Sequence, residues 1–323
     1  MTYQKPEQMT KHAFTQDFPM TTLSITTVSA TAPIYARLTV MAALWAGTFV
    51  AGRMIAPDMA PLPVAIGRFG LAVIGLMILA KHIEGGLPRL TLRQAGVTCL
   101  LGVTGVFLYN LFFLTALSEL PASRTAIFVS LNPVVVSVFM VIAFRERLSA
   151  IRWIGIALTS VGALLIISRG EVSALLHDLG HSFGRGERAM ILAVIAWALY
   201  TVIGKRALTD LSALAATTYA AIWGLVLFCV AFLIAPVPVN FGQISAHSIG
   251  LIVYLAIGGT VIPFLWYYRG VIEIGPARTS VFTNLVPVFG VLFGVVLLGE
   301  PLSLSMLVGG GVVICGVALT NRP

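Results

Sequence analysis

Charge is what this chain has least of. Only 10% of its 323 residues are Asp, Glu, Lys or Arg, against about 25% in a typical soluble domain. With 58% hydrophobic residues and a mean hydropathy of +0.98, too little polar surface remains to coat a water-soluble body of this size. The chain reads as an integral membrane protein. Cysteine is scarce too: Cys99, Cys229 and Cys315 are an odd number, each inside an apolar run. They read as small hydrophobes and exclude a disulfide framework or a cysteine-based metal site.

The acids are few and poorly placed for chemistry within a membrane. All 12 fall in tails, loops or helix ends, and the histidines (His12, His82, His177, His181 and His247) lie outside the apolar spans. No mid-membrane carboxylate is left to carry a proton or hold sodium. His177 and His181 are four apart, but in a polar loop that reads as solvated rather than metal-binding. There is no Walker-type phosphate loop and no nucleophile constellation, which argues against an ATP-driven pump or a hydrolase. A polytopic membrane enzyme or assembly factor is the alternative of another class. It would need a polar catalytic cluster at one membrane face, and none is found. No cofactor or metal is expected. The net charge of +8 would suggest nucleic acid in a soluble domain; here it reads as Lys and Arg collected on the cytoplasmic side.

What is there is apolar length. About 20 apolar residues cross the hydrocarbon core, and ten segments qualify: about 34–53, 62–81, 93–117, 122–144, 151–168, 187–206, 212–235, 248–271, 276–299 and 303–320. These are spans 1 to 10 of an expected all-α membrane protein. Residues 1–33 form a polar tail rather than a cleaved leader, and Met20 offers a second start, so residues 1–19 are not expected to matter. Residues 34–168 and 187–320 each hold five spans, joined by the polar linker 169–186.

The two halves are copies. At an offset of 154, Arg124 matches Arg278, Phe128 Phe282, Pro133 Pro287, Glu146 Glu300 and Ser149 Ser303. Gly155 and Gly162 match Gly309 and Gly316, and Glu119 matches Glu273. At 152, Trp45 matches Trp197 and Gly52 matches Gly204. Five is odd, so the second copy enters the bilayer from the other side, giving two inverted five-helix repeats. With the N-terminus inside, five basic residues fall outside (Arg53, Arg124, Arg169, Arg185, Arg188), Arg68 lies within span 2, and the other 14 of the 20 are cytoplasmic. Both termini are therefore expected in the cytoplasm and the 169–186 linker in the periplasm.

Several residues carry candidate roles. Glu146 and Glu300 end spans 4 and 9 and are expected to turn toward the start of the following helix, which Ser149 or Ser303 caps. Clamping the hairpin and gating are both open to them. Glu119 with Arg124, and Glu273 with Arg278, read as ion pairs on opposite faces, either ordering loops or acting as alternating gates. Arg68 is about six residues into span 2, where it snorkels, packs, or lines a substrate path.

Pro133, Pro263 and Pro287 break spans 4, 8 and 9, as hinges beside a binding site or as kinks that fit the packing, freeing backbone carbonyls beside Asn132 and Asn284. Trp45, Phe49, Tyr109, Trp197, Tyr200 and Trp266 gather on the same spans, as cavity lining or as interfacial belt. With Asn132 and Asn284 they make the expected substrate-binding set.

The runs LWAGTFVAGR at 44–53, GRFGLA at 67–72 and NLFFLTAL at 110–117 carry a family resemblance. So do SLNPVVVSVF ending at Glu146, NLVPVFGVLF ending at Glu300, and the Gly-rich spans 5 and 10. Over residues 36–320 the chain resembles the EamA-type, ten-helix branch of the drug/metabolite transporter superfamily. The resemblance implies an inverted-repeat carrier of small metabolites in a bacterial inner membrane, with many members exporting amino acids. Small multidrug relatives place a Glu in their first helix; this chain has none there. The expectation is an exporter of aromatic or bulky apolar amino acids, working by alternating access without ion coupling, as monomer or homodimer in contact with lipid. A drug or purine-type exporter is the alternative.

Overall fold

The computed structural model describes residues 25–144, 149–167, 184–207, 211–238, 244–274 and 282–320. Glu146, Arg278, the tail to residue 24 and most of the 169–186 linker lie outside them. Residues 37–323 form one compact unit, to which every contact below belongs.

All regular structure among the described residues is helical. In chain order the helices are α1 (Ile25–Ile55), α2 (Pro61–Glu84), α3 (Leu92–Leu101), α4 (Tyr109–Glu119), α5 (Ala122–Val129), α6 (Asn132–Phe144) and α7 (Ala150–Ile167). Then come α8 (Arg185–Ala207), α9 (Ala213–Ile234), α10 (Ala246–Val253), α11 (Ile262–Ile274), α12 (Leu285–Leu298) and α13 (Leu304–Thr320). Seven stretches are long and apolar enough to cross a membrane: Pro33–Ile55, Pro61–Glu84, Leu92–Glu119, Ala122–Phe139, Arg185–Gly204, Ala213–Ile234 and Ala246–Tyr267. Three shorter apolar helices, Ala150–Gly162, Phe282–Leu298 and Leu304–Gly316, complete the ten.

Local chemistry sets the helix ends. Thr91 and Gln94 form a reciprocal capping box at the start of α3, and Ser212, Ser245 and Ser303 accept N–H groups at the starts of α9, α10 and α13. α2 closes on Gly85, whose φ of 77° suits a residue without a Cβ and lets its N–H reach the carbonyl of Ala80.

Several spans are not continuous α-helices. α3 runs into α4 through a π-helical segment, Gly102–Leu108, and α10 into α11 through another, Tyr254–Val261. They occupy matching places in the two copies. A π segment leaves backbone carbonyls without their usual partners and marks a place where side chains can intrude. Span 4 divides at Ser130–Leu131 into α5 and α6, and a 3-10 turn, Phe282–Asn284, precedes α12. Pro133, Pro263 and Pro287 each sit in the first turn of the downstream piece, where the missing N–H costs little.

Glycine lets the helices approach. α7 packs along α13, and a Cβ on Gly162 would lie 2.7 Å from the Gly309 carbonyl, while one on Gly316 would lie 2.5 Å from the Thr159 nitrogen. The same positions of the two copies therefore form one crossing. α5 packs on α12, where Gly290 faces Ala126 and Gly294 faces Ser123. Outward faces stay apolar: Ile74 and Ile78 of α2 and Val296 of α12 are each more than half exposed, as a lipid-facing surface requires.

Candidate functional site

One cation links the two π segments through neighbouring side chains. Arg68 is 8% exposed and points from α2 toward both. Its Nη1 donates to Asn110 Oδ1 at 2.9 Å, and its Nη2 donates to Thr260 Oγ1 at 3.3 Å. Asn110 in turn donates through Nδ2 to the carbonyls of Val106 at 2.8 Å and Gly105 at 3.4 Å, inside the first π segment. Thr260 donates to the carbonyl of Leu255, five residues back in the second, at 3.2 Å. Side chains thus satisfy carbonyls that π winding leaves over. The guanidinium joins one wound segment of each copy, with the Phe69 ring 5.2 Å beneath it.

α1 lies against the second segment. The Trp45 indole donates to the Gly259 carbonyl at 3.1 Å, and the Tyr254 hydroxyl donates back to the Leu44 carbonyl at 2.8 Å. A Cβ on Gly259 would stand 2.6 Å from the Thr48 methyl, so α1 can come this close only to glycine. In the first segment Gly105 is likewise covered, by the ring of Tyr200.

Aromatic rings extend from this centre in two groups. One runs Phe49, Phe113, Tyr109, Trp197, Tyr200, with successive centroids 5.0 to 5.7 Å apart. The other joins Trp45 to Phe264 at 5.9 Å and to Tyr267 at 6.1 Å. Of the residues expected to bind substrate, Trp45, Phe49, Tyr109, Trp197 and Tyr200 therefore belong to these groups. Trp266, half-buried on α11, is absent from these ring contacts, and Asn284 is exposed. Asn132 is buried, and its Oδ1 has no hydrogen-bond partner among the described residues.

The expected local ion pair is corrected. Arg124 pairs not with Glu119 but with Glu187 at the start of α8, at 3.0 Å, with both side chains buried; Glu119 instead meets Arg185 at 3.8 Å on the surface. The first seven residues of α5 are buried, so Arg124 faces inward, away from Glu119 at the end of α4. Glu273 is exposed at the end of α11, and its expected partner Arg278 lies outside the described residues.

Glu300 is corrected too. It leaves the following helix to Ser303 and accepts the N–H groups of Ala122 at 2.7 Å and Ser123 at 2.8 Å. Pro121, at the cap of α5, has no side-chain acceptor for these orphan donors, so a carboxylate from the other copy supplies it.

Asn110 and Thr260 were absent from the expected set, although a polar residue within an apolar run was the available signal. A recess of about 410 Å³ between Glu84–Arg89 and Leu211–Ser212 lies at the far end of α2, about 24 Å along the helix from Arg68.

Comparison with known proteins accords with this architecture. Residues 32–168 and again 184–322 match the EamA-like transporter family. Two proteins of Bacillus subtilis, the uncharacterized transporters YyaM and YetK, are 29% and 27% identical over 285 and 289 residues. Those matches cover 88% of this chain in each case, and 92% and 86% of the relatives. A protein of Streptantibioticus cattleyicolor described as a probable terminal-alkyne amino-acid exporter is 25% identical over 279 residues, 86% of this chain and 90% of its own. One solved crystal structure superposes with a TM-score of 0.62 over 90% of this chain and 97% of that one, at 17% identity, a likeness of fold. With two family domains spanning most of its length, this multi-pass membrane protein is a transporter and not an enzyme, and it belongs to the EamA-like transporter family.

Proposed function

We propose that the chain exports amino acids with aromatic or bulky apolar side chains across a bacterial inner membrane, by alternating access of two inverted five-helix repeats. The observation that carries this reading is the continuous run of rings from Phe49 to Tyr200 beside a buried polar centre. Rings supply the apolar contact such side chains need, and the polar groups fix the charged end. The relative described as an amino-acid exporter supports the same class. Flat heterocycles such as purines would also stack on these rings, so they form the second reading.

In this reading the basic-residue distribution sets both termini in the cytoplasm. The outer end is then closed twice, by Glu300 on the start of α5 and by Arg124 with Glu187. Every acid lies at a helix end, loop or tail, and Arg68 keeps its proton, which supports transport down the substrate gradient without ion coupling. Counterflow in proteoliposomes loaded with L-phenylalanine, L-tryptophan, L-leucine, adenosine or a cationic dye tests the class. Exchange of the amino acids alone is expected; exchange confined to adenosine or the dye would refute it.

A further inference from the structure

Among the described residues, Arg68 is a buried cation without an anion. No carboxylate among them pairs with it; the ion pairs engage Arg124 and Arg185. Of its five N–H groups, two are used, by Asn110 and Thr260, and Nε has no partner at all. It stands seven residues past the start of α2, about 10 Å along the helix. Neutral side chains would suffice to hold Asn110 and Thr260. A charge at this depth is expensive, and in membrane proteins it marks a substrate or ion pathway with a partner to be named.

We propose that Arg68 receives the carboxylate of the transported substrate, through Nε–H and a second free N–H. Guanidinium donors match a carboxylate in paired fashion. The flanking residues give the rest of the substrate a place. Tyr109, next to Asn110, is in the ring run that reaches Tyr200, and Trp45 is bonded to Gly259, next to Thr260. An aromatic amino acid with its carboxylate on Arg68 has rings on either side for its side chain. Because the same guanidinium holds one π segment of each copy, an anion that draws it away loosens the link between the halves. This assignment rests on the amino-acid reading, yet it makes a separate demand: the substrate must be a carboxylate.

The test compares acid with amide. Proteoliposomes of the full chain are assayed for uptake of L-phenylalanine, L-phenylalaninamide, phenylacetate and adenosine, with wild type, Arg68→Lys and Arg68→Gln. Wild type is expected to favour L-phenylalanine over the amide at least tenfold, Arg68→Lys to keep part of that preference, and Arg68→Gln to lose it. Equal uptake of acid and amide by the wild type overturns the subsite while leaving the amino-acid reading intact; that comparison needs no variant to fold. Uptake of phenylacetate but not L-phenylalanine, lost in Arg68→Gln, keeps the subsite and overturns the amino-acid reading. Uptake of adenosine alone overturns both, and an unchanged preference in Arg68→Gln overturns the subsite.

Discussion

The carboxylate of Glu300 caps Ser123, 177 positions earlier in the chain, accepting its backbone N–H at 2.8 Å and bonding its hydroxyl as well. The bond runs from one copy of the repeat to the other. Helix N-termini favour such carboxylates through both unsatisfied N–H groups and dipole. Losing a cap costs about 0.5–2 kcal/mol.

Glu300→Ala is accordingly expected to lower the thermal midpoint of the detergent-solubilised protein by a few degrees. It should also raise labelling of a cysteine at position 123 from the outside by an impermeant maleimide. An unchanged midpoint with unchanged labelling would show that the cap neither stabilises nor closes this end.

Arg124 and Glu187 form an ion pair in which both side chains are buried. Breaking a buried pair from one side leaves an uncompensated charge, worth about 3–5 kcal/mol. Glu187→Gln should therefore destabilise strongly, while Arg124→Met combined with Glu187→Leu should recover much of the loss. A double-mutant cycle on thermal or chemical unfolding measures the coupling; additive losses would mean that the pair is not a unit.

The α7–α13 crossing predicts a contrast between two glycines. Gly316→Leu forces a side chain against the Thr159 nitrogen and the Gly155 carbonyl, backbone atoms that cannot swing aside. A cost of about 1–3 kcal/mol or more is expected. At Gly311 nothing lies within 4 Å of an added Cβ, so Gly311→Ala should be neutral or stabilising, by up to about 1 kcal/mol from helix propensity. Similar midpoints for the two variants would contradict the crossing.

Orientation is open to labelling. In a chain with Cys99, Cys229 and Cys315 replaced by Ala, a cysteine at position 177 should react with an impermeant reagent in spheroplasts. One at position 86 should react only after the membrane is opened. The reverse pattern would invert the proposed topology.

Coupling is tested by flux. At fixed membrane potential, an imposed pH or sodium gradient is expected to leave net substrate movement unchanged, because no acid or histidine sits mid-span in the sequence. Accumulation above equilibrium driven by either gradient would place a coupling ion in the protein.

The spans were legible because hydrophobic runs, capping residues and the duplication are all written along the chain. Ser303 caps the helix the sequence assigned to it. The π segments were not: i→i+5 winding has no residue signature, and although Pro263 follows one segment, no proline follows the other. Aromatic positions could be named, but not which rings would touch. Trp45 and Trp197 are symmetry mates in sequence yet fall in separate ring groups, because Trp45 turns to α11 and Trp197 to α4. Sequence proximity did not decide the partner of Arg124, because a buried helix start offers its cation to a neighbouring helix rather than to the end of the preceding one.

By itself, then, the sequence determined the membrane class, the ten apolar segments and the twofold repetition. Each follows from transfer of apolar residues out of water, which adds up locally along the chain. Only the tertiary structure decided that Arg68 bridges Asn110 and Thr260, and that Glu300 serves a helix of the other copy. Those choices depend on which faces pack together, and buried polar groups in an apolar interior must take whatever partner that packing brings within about 3 Å.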